Sequence, residues 1–222
     1  MNITFLIGNG FDLKLGLNTR YSDFYSYYHE KASKESIILK WMKEDDDKGN
    51  WADLEMALGN KIKDIDEDAL PQFMDAHAEM DLLLLDYLET EQNRYSSKAV
   101  EKEILAELSR SLCDVPKELS EVEQRQYQDI CNSLRNESIK YCFITFNYTE
   151  VFDHIIDIAR AASLDLGAHL DVHGRSKKHV LGDVHHVHGT LNEGVVLGVN
   201  DESQINNEML RNSILLWSYV KI

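Results

Sequence analysis

Four short clusters of glycine and polar residues mark the places where this chain could carry out chemistry. Each follows an apolar run with the length and composition of a buried strand. The clusters are Gly8–Asp12, Asn147–Thr149, His188–Thr190 and Gly198–Asn200, and the runs before them are Ile3–Ile7, Tyr141–Phe146, Val184–His188 and Val195–Val199. Because ligands bind at the carboxyl ends of the strands in an open parallel sheet, we expect these clusters to line one crevice.

The first cluster contains the pair Gly8-x-Gly10, which lets a phosphate or a ribose approach the backbone closely. The start of the helix expected after it would favour a negative charge. The dinucleotide-binding fingerprint is incomplete because position 13 is Leu, and a tight turn explains two glycines about equally well. Asp12, in the first helical turn, has the simpler explanation that it complements the helix dipole.

The second and third clusters supply an amide and an imidazole. Asn147 has the simple interpretation that it caps the helix that follows, and Thr149 could do the same. A histidine near a crevice can act as a base near neutral pH, although a surface or hydrogen-bonded histidine is commoner. His173-Gly174 repeats the dipeptide His188-Gly189, so the residues alone leave open which copy is functional.

A metal site is not expected from the histidines. Seven of the nine lie between His154 and His188, and on a strand His186 and His188 would share one face. Two such side chains could bind a metal ion, but the spacing shows no third ligand.

The elements that must position these clusters are of two kinds. Short β-branched and aromatic runs that alternate with helices at both ends of the chain predict a parallel α/β sheet. A further strand is predicted at His169–Val172, and a helix at Glu150–Ala162 with Val151, Ile155, Ile158 and Ala162 on one face.

The middle of the chain reads as helical throughout. The predicted helices are Tyr21–Lys31, Lys34–Lys43, Trp51–Ile65, Pro71–Glu91, Ala99–Leu112 and Glu121–Asn136. Core-facing stripes are predicted at Leu82, Leu85 and Leu88, and at Ile104, Leu105, Leu108 and Leu112. We therefore expect one α/β domain over residues 1–222, with an all-helical insertion at 20–139 after its first βα unit.

Composition excludes several classes of protein. The 222 residues carry a formal charge of −16, which opposes non-specific binding to nucleic acid or to an anionic membrane. Residues 20–139 hold 28 acidic and 15 basic side chains, so most of this charge belongs to the insertion. Three widely spaced cysteines favour a reducing compartment, and no apolar run approaches the ~18–20 residues of a membrane span. The expectation is a soluble, cytoplasmic protein.

Taken in order, six segments resemble the AbiH family of bacteriophage abortive-infection proteins. They span nearly the whole chain. The segments are Phe5–Leu13, Gly16–Phe24, Trp51–Glu55, Thr145–Thr149, His186–Gly189 and Leu197–Asn200. The resemblance implies a role in defence against phage, with a phage or host protein as the trigger.

The same arrangement resembles, more remotely, sirtuin-like domains, which hold NAD in a Rossmann-like fold. This implies that Asn147 orients the ribose or an attacking water at the glycosidic carbon, and that His188 is the general base. Gly189-Thr190-Leu191 leads into the next predicted strand as in that pattern, which selects His188 over His173. The remaining implied nucleotide contacts are Gly8, Asn9 and Gly10 at the phosphates, Asp12 near the nicotinamide ribose, and Gly198 and Asn200 near the adenosine. Thr149 and Gly189 are also expected to bind the cofactor.

Two departures from the sirtuin pattern limit what carries over. The four-cysteine zinc module is missing from the sequence, which argues against protein deacylation. Thr149 replaces an acidic residue, so hydrogen bonding must differ there.

The function expected is therefore NAD binding with cleavage of the nicotinamide N-glycosidic bond. The alternative is a nucleotide sensor or protein-interaction module without turnover. A dinucleotide ligand and self-association into a homo-oligomer complete the expected partners.

Overall fold

The computed structural model describes residues 1–45, 54–63, 65–95 and 101–193. These fall into two compact units. The sheet unit contains residues 1–8, 101–146 and 150–187, and the helical unit contains the described residues of 9–95 together with 147–149 and 188–193. The helices of the predicted insertion are thus divided between the two units.

Three parallel strands of the described residues form the sheet at the centre of the sheet unit. Its strands are β1 (Asn2–Ile7), β2 (Lys140–Thr145) and β5 (Val180–His186), in the order β1-β2-β5. The predicted α/β class with a parallel sheet is therefore confirmed, and β1 and β2 lie within a residue of their expected positions. Strand β5 starts earlier than expected and ends at His186, paired with Thr145, so His188 lies beyond the strand rather than on a shared face with His186.

One face of this sheet carries the core of the unit. Phe143 of β2 contacts Phe152 edge-on, with ring centroids 5.0 Å apart, and Phe152 belongs to α9 (Val151–Ala161). The prediction that β1 is buried on both faces is wrong, because its residues alternate and Leu6 is 68% exposed. The predicted face of α9 is correct at Val151 and Ile155, whereas Ala159 is buried in place of the exposed Ala162.

A hairpin makes up the second sheet of this unit. The run expected as a strand at 169–172 is β3 (Ala168–Leu170), which pairs antiparallel with β4 (Ser176–Lys178) and does not join the parallel sheet. Strand β4 was not predicted, because Ser176, Lys177 and Lys178 give no apolar signal. The unit also contains α6 (Glu101–Cys113), α7 (Val115–Glu118) and α8 (Glu121–Ser133).

The helical unit is built around one long helix. It contains α1 (Gly10–Lys14), α2 (Tyr21–Lys31), α3 (Ile37–Glu44), α4 (Leu54–Ile62) and α5 (Leu70–Arg94). The predicted stripe of α5 is correct at Leu88, which is buried, and wrong at Leu82, which is 67% exposed. Leu84 is buried instead, since the helical period from Phe73 and Met80 leads to position 84. The predicted helix 51–65 is described only from Leu54, and the predicted strand 195–199 lies outside the described residues.

Candidate functional site

A buried carboxylate is the centre of the candidate site. Asp12 lies in the short helix α1 and is only 1% exposed. Thr149 Oγ1 donates to Asp12 Oδ2 at 2.6 Å, and Asn147 Nδ2 donates to Asp12 Oδ1 at 3.0 Å. The three side chains are buried within the helical unit. Residues some 135 positions apart in the chain, which the sequence placed only at the ends of separate strands, are therefore hydrogen-bonded to one another.

This contact fixes the orientation of the Asn147 amide. An ionised carboxylate only accepts hydrogen bonds, so the amide group that faces Asp12 must be the NH₂. The amide therefore presents Oδ1, an acceptor, on its side away from Asp12. At this position the amide oxygen can accept a hydrogen bond from a ribose hydroxyl or from a water molecule.

Thr149 is the second donor to the Asp12 carboxylate. Its hydroxyl donates to Asp12, and its side chain is buried at 1% exposure. An acidic residue here would bring two carboxylates within hydrogen-bonding distance, which is unfavourable unless one is protonated. Threonine supplies the donor that the Asp12 carboxylate needs.

His188 lies against the same segment. Its ring packs on Tyr148, the residue between Asn147 and Thr149, with centroids 5.9 Å apart. The Tyr148 carbonyl also accepts a hydrogen bond from Leu191 N, which ties the segment after His188 to the segment after β2. Tyr148 and Leu191 pack against the helical core.

The other His-Gly dipeptide has a different setting. His173 and Gly174 lie in the tight turn between β3 and β4, within the sheet unit, where Gly174 adopts a φ of 74°. His188 is in the helical unit with Asp12, Asn147 and Thr149. The two His-Gly dipeptides therefore belong to different units.

Asn9 has a structural partner. Its Nδ2 donates to Thr19 O at 2.9 Å, and its Oδ1 accepts a short hydrogen bond from Thr19 Oγ1. Both ends of the Asn9 amide thus hold the loop after α1. Of the contacts implied for a nucleotide phosphate, the structure leaves the backbone of Gly8 and Gly10 as the exposed part.

Gly8 and Gly10 are not explained by backbone geometry or packing. Neither adopts a positive φ, and a Cβ added at either would meet no described atom within 4 Å. Gly189 differs, because its φ of 77° requires the left-handed region. Gly198 and Asn200 lie outside the described residues.

Two residues of α5 that the sequence did not single out hold the loop in place. Glu91 Oε2 accepts Asn18 N at 2.8 Å, and Tyr87 Oη donates to Asn18 O at 2.7 Å. Glu91 is 5% exposed and is also bound by Arg94 at 2.6 and 2.8 Å. Burial, followed by the nearby Glu91, raises the pKa of Tyr87 to about 12, so Tyr87 remains a donor. Because both side chains contact the backbone of Asn18, no residue type in the loop indicates these contacts from the sequence.

A second histidine, His186, forms a close pair with a carboxylate in the sheet unit. His186 Nε2 lies 2.8 Å from Asp153 Oδ2, which joins the end of β5 to the first turn of α9. Among the described residues, no three His, Cys, Asp or Glu side chains are grouped so that they could hold a metal ion.

The comparison with protein families matches nearly the whole sequence. The family described as "Bacteriophage abortive infection AbiH" matches residues 4–219. The chain belongs to the AbiH family. Family membership implies a role in abortive infection, a defence against bacteriophage. No curated protein and no solved structure matches this AbiH chain. Within the described ranges, none of its helices is both long and apolar enough to cross a membrane.

Proposed function

We propose that this AbiH protein binds NAD, or a related nucleotide, and hydrolyses the nicotinamide N-glycosidic bond during phage defence. The observation that carries the proposal is the hydrogen bond from Asn147 Nδ2 to Asp12 Oδ1, which presents the amide oxygen as an acceptor. The ring contact between His188 and Tyr148 supports it by bringing a base to the same segment.

In the proposed reaction, Asn147 Oδ1 accepts a hydrogen bond from the attacking water and orients it toward C1′ of the nicotinamide ribose. As the C1′–N1 bond breaks, nicotinamide leaves with the bonding electron pair and loses its positive charge. The water oxygen bonds to C1′, and His188 takes the proton that the water releases. The products are nicotinamide, ADP-ribose and one proton.

Asp12 acts in this proposal as a positioning residue. Its two carboxylate oxygens accept hydrogen bonds from Asn147 and Thr149, so they are engaged within the protein. Its effect on the reaction is exerted through Asn147, whose amide it keeps in one orientation. A hydrogen bond held in a buried setting is stronger than one exposed to water, which makes the orientation persistent.

The test is turnover of NAD by the purified protein, alone and with a lysate of phage-infected cells as trigger, with nicotinamide and ADP-ribose quantified by chromatography. Asn147→Ala and His188→Ala are each expected to lower the rate by about 100-fold or more. His173→Ala is the matched control, because it removes the other histidine of a His-Gly pair. Product formation that is undiminished in Asn147→Ala, or never above background, would overturn the hydrolase proposal.

Calorimetry with NAD distinguishes the alternative function. Binding without turnover, lost on substitution of Gly10, would indicate a nucleotide sensor. Asp12→Asn separates the two further, because a residue that positions the catalytic amide lowers kcat more than it raises KM.

A further inference from the structure

Among the described residues, one outer edge of the hairpin β3–β4 is bound and the other is open. At one end of the ladder His179 N donates a hydrogen bond to Gly167 O, and at the other end Asp171 N donates to Arg175 O. Hydrogen-bonded pairs alternate in antiparallel sheets, so His169 and Lys177 form the pair between them. The backbone N–H and C=O groups of Ser176 and Lys178 therefore point away from β3.

The two outer edges differ in what binds them. On β3, Arg135 Nε donates to Leu170 O at 2.7 Å, and beyond the strand Val172 N donates to Asn136 Oδ1 at 3.3 Å. On β4, no described residue binds the outward backbone groups of Ser176 and Lys178. An open strand edge of this kind is a template for another extended chain.

The hairpin turn is held rigidly by a buried carboxylate. The Asp171 side chain is 0% exposed and accepts the backbone N–H of His173 at 2.8 Å and of Arg175 at 2.9 Å. The Arg175 guanidinium adds a further bond at 2.7 Å. The edge is therefore presented in a fixed conformation, which lowers the entropy lost when a partner binds.

A groove of about 710 Å³ lies beside β4 in the same unit. Its walls include the apolar side chains of Leu164, Leu166 and Leu181, and its cations are Arg160 and Lys178. Asp165 also lines the groove, and its carboxylate accepts a hydrogen bond from Gly167 N at 2.9 Å. Arg160 is paired with Asp157, whereas Lys178 is exposed and makes no ion pair with a described residue. The groove thus offers apolar contact next to a positive charge.

The charge of the hairpin is opposite to that of the chain. Arg175, Lys177 and Lys178 outnumber Asp171 over positions 168–179, although the whole chain carries −16. A partner that binds the hairpin by complementary charge is therefore acidic. Nucleic acid fits less well, because the rest of the molecule repels phosphates and an open strand edge pairs with amide groups.

We propose that the open edge of β4 binds an extended acidic segment of a partner protein, which adds to the hairpin as a third strand. Side chains on one face of the segment would enter the groove, where acidic ones would meet Lys178 and aliphatic ones would meet Leu164 and Leu181. The proposal is independent of nucleotide binding, since all its residues belong to the sheet unit and none is in the candidate site. It identifies a surface through which an abortive-infection protein can receive a protein signal.

The experiment measures binding of a fluorescently labelled peptide to the full chain by anisotropy. The peptide is about seven residues long, with Asp and Val taking turns at every second position and Thr between them, so that both types share one face. We expect saturable binding that protects the Ser176 and Lys178 amides from hydrogen exchange. The same peptide with N-methylated backbone amides, and a labelled oligonucleotide, should not bind. Binding of the oligonucleotide in place of the peptide, or of neither, would overturn the proposal.

Two pairs of variants test the geometry. Lys178→Glu is expected to weaken peptide binding by about tenfold or more, whereas Lys177→Glu, the same change on the opposite face, should change it much less. Lys178→Pro removes an outward N–H without breaking the pairing with β3, and it should weaken binding beyond Lys178→Ala. Equal effects of the two charge reversals, or equal affinities of the Pro and Ala variants, would count against strand addition.

Discussion

The Thr149 hydroxyl donates a 2.6 Å hydrogen bond to the buried Asp12 carboxylate, across 137 positions of sequence. Removing this donor would leave a buried charged acceptor short of one partner. We therefore expect Thr149→Val, which keeps the shape of the side chain, to lower the free energy of unfolding by about 1.5–3 kcal/mol. Urea denaturation followed by circular dichroism measures the change.

Thr149→Ser is the control for this prediction, because it keeps the hydroxyl and removes only a methyl group. It should lie between the wild type and Thr149→Val in stability. If Val and Ser variants were equally stable, the hydrogen bond to Asp12 would contribute little, and the site would have to be held by packing alone.

Gly10 can be substituted without a structural penalty, because it has no positive φ and no described atom lies within 4 Å of an added Cβ. We expect Gly10→Ala to melt at the wild-type temperature. If a nucleotide phosphate approaches this backbone, the added methyl group should weaken NAD binding by about tenfold or more. Scanning calorimetry and titration calorimetry give the two quantities.

Gly189→Ala provides the contrast. Its φ of 77° lies in the left-handed region, so alanine there should cost about 1–2 kcal/mol of stability. Should Gly10→Ala bind NAD as tightly as the wild type, the Gly8-x-Gly10 pair would be a tight turn and nothing more.

The sequence was most informative where an element carries its own signal. The apolar runs before Gly8 and Asn147 located β1 and β2, and helix α2 has the predicted bounds Tyr21–Lys31. Strand β4 carries no such signal, because a polar strand in a two-stranded hairpin is specified by its turn and its partner. In α5 the run of four leucines from 82 to 85 is apolar on every face, so the run alone does not show which leucine is buried. Only the helical period that continues from Phe73 and Met80 singles out Leu84 over Leu82.

The candidate site was predictable in its residue types but not in its contacts. Asn147 and Thr149 were expected to cap a helix, and Asp12 to complement a helix dipole, each by a local interaction. Their hydrogen bonds to one another are non-local, and such pairing depends on the fold as a whole. For the same reason His188 and His173 could not be told apart from the dipeptides that contain them.

Asp171 predicts a dependence of stability on acid pH. The backbone N–H of Arg175, followed by its guanidinium and the N–H of His173, lowers the pKa of this carboxyl to about 2 against the opposing effect of burial. The folded-state pKa lies below the ordinary value of 3.8, so the ionised carboxylate stabilises the folded state above that value. This contribution is lost as the pH falls from 3.8 toward 2.

We expect the melting temperature of the wild type to fall more steeply than that of Asp171→Asn across this window. The comparison isolates Asp171, since every other carboxyl group is common to both proteins. Carboxyl chemical shifts from NMR of the folded protein report its titration directly. Parallel melting curves of the two proteins, or a titration of Asp171 near 3.8, would show that the turn does not hold the carboxylate as described.

Gly182 is required by close packing inside the parallel sheet. A Cβ at this position would lie 2.7 Å from Cys142 Sγ and 2.8 Å from Tyr141 O. The sulfur belongs to a side chain that can move or be removed, but the carbonyl belongs to the backbone of β2. We therefore expect Gly182→Ala to destabilise the protein by about 1–3 kcal/mol, as overpacked cores generally do. Adding Cys142→Ala should recover only part of this loss, because the clash with the Tyr141 carbonyl remains. Full recovery of the melting temperature in the double variant would mean that the thiol alone excludes a side chain at position 182.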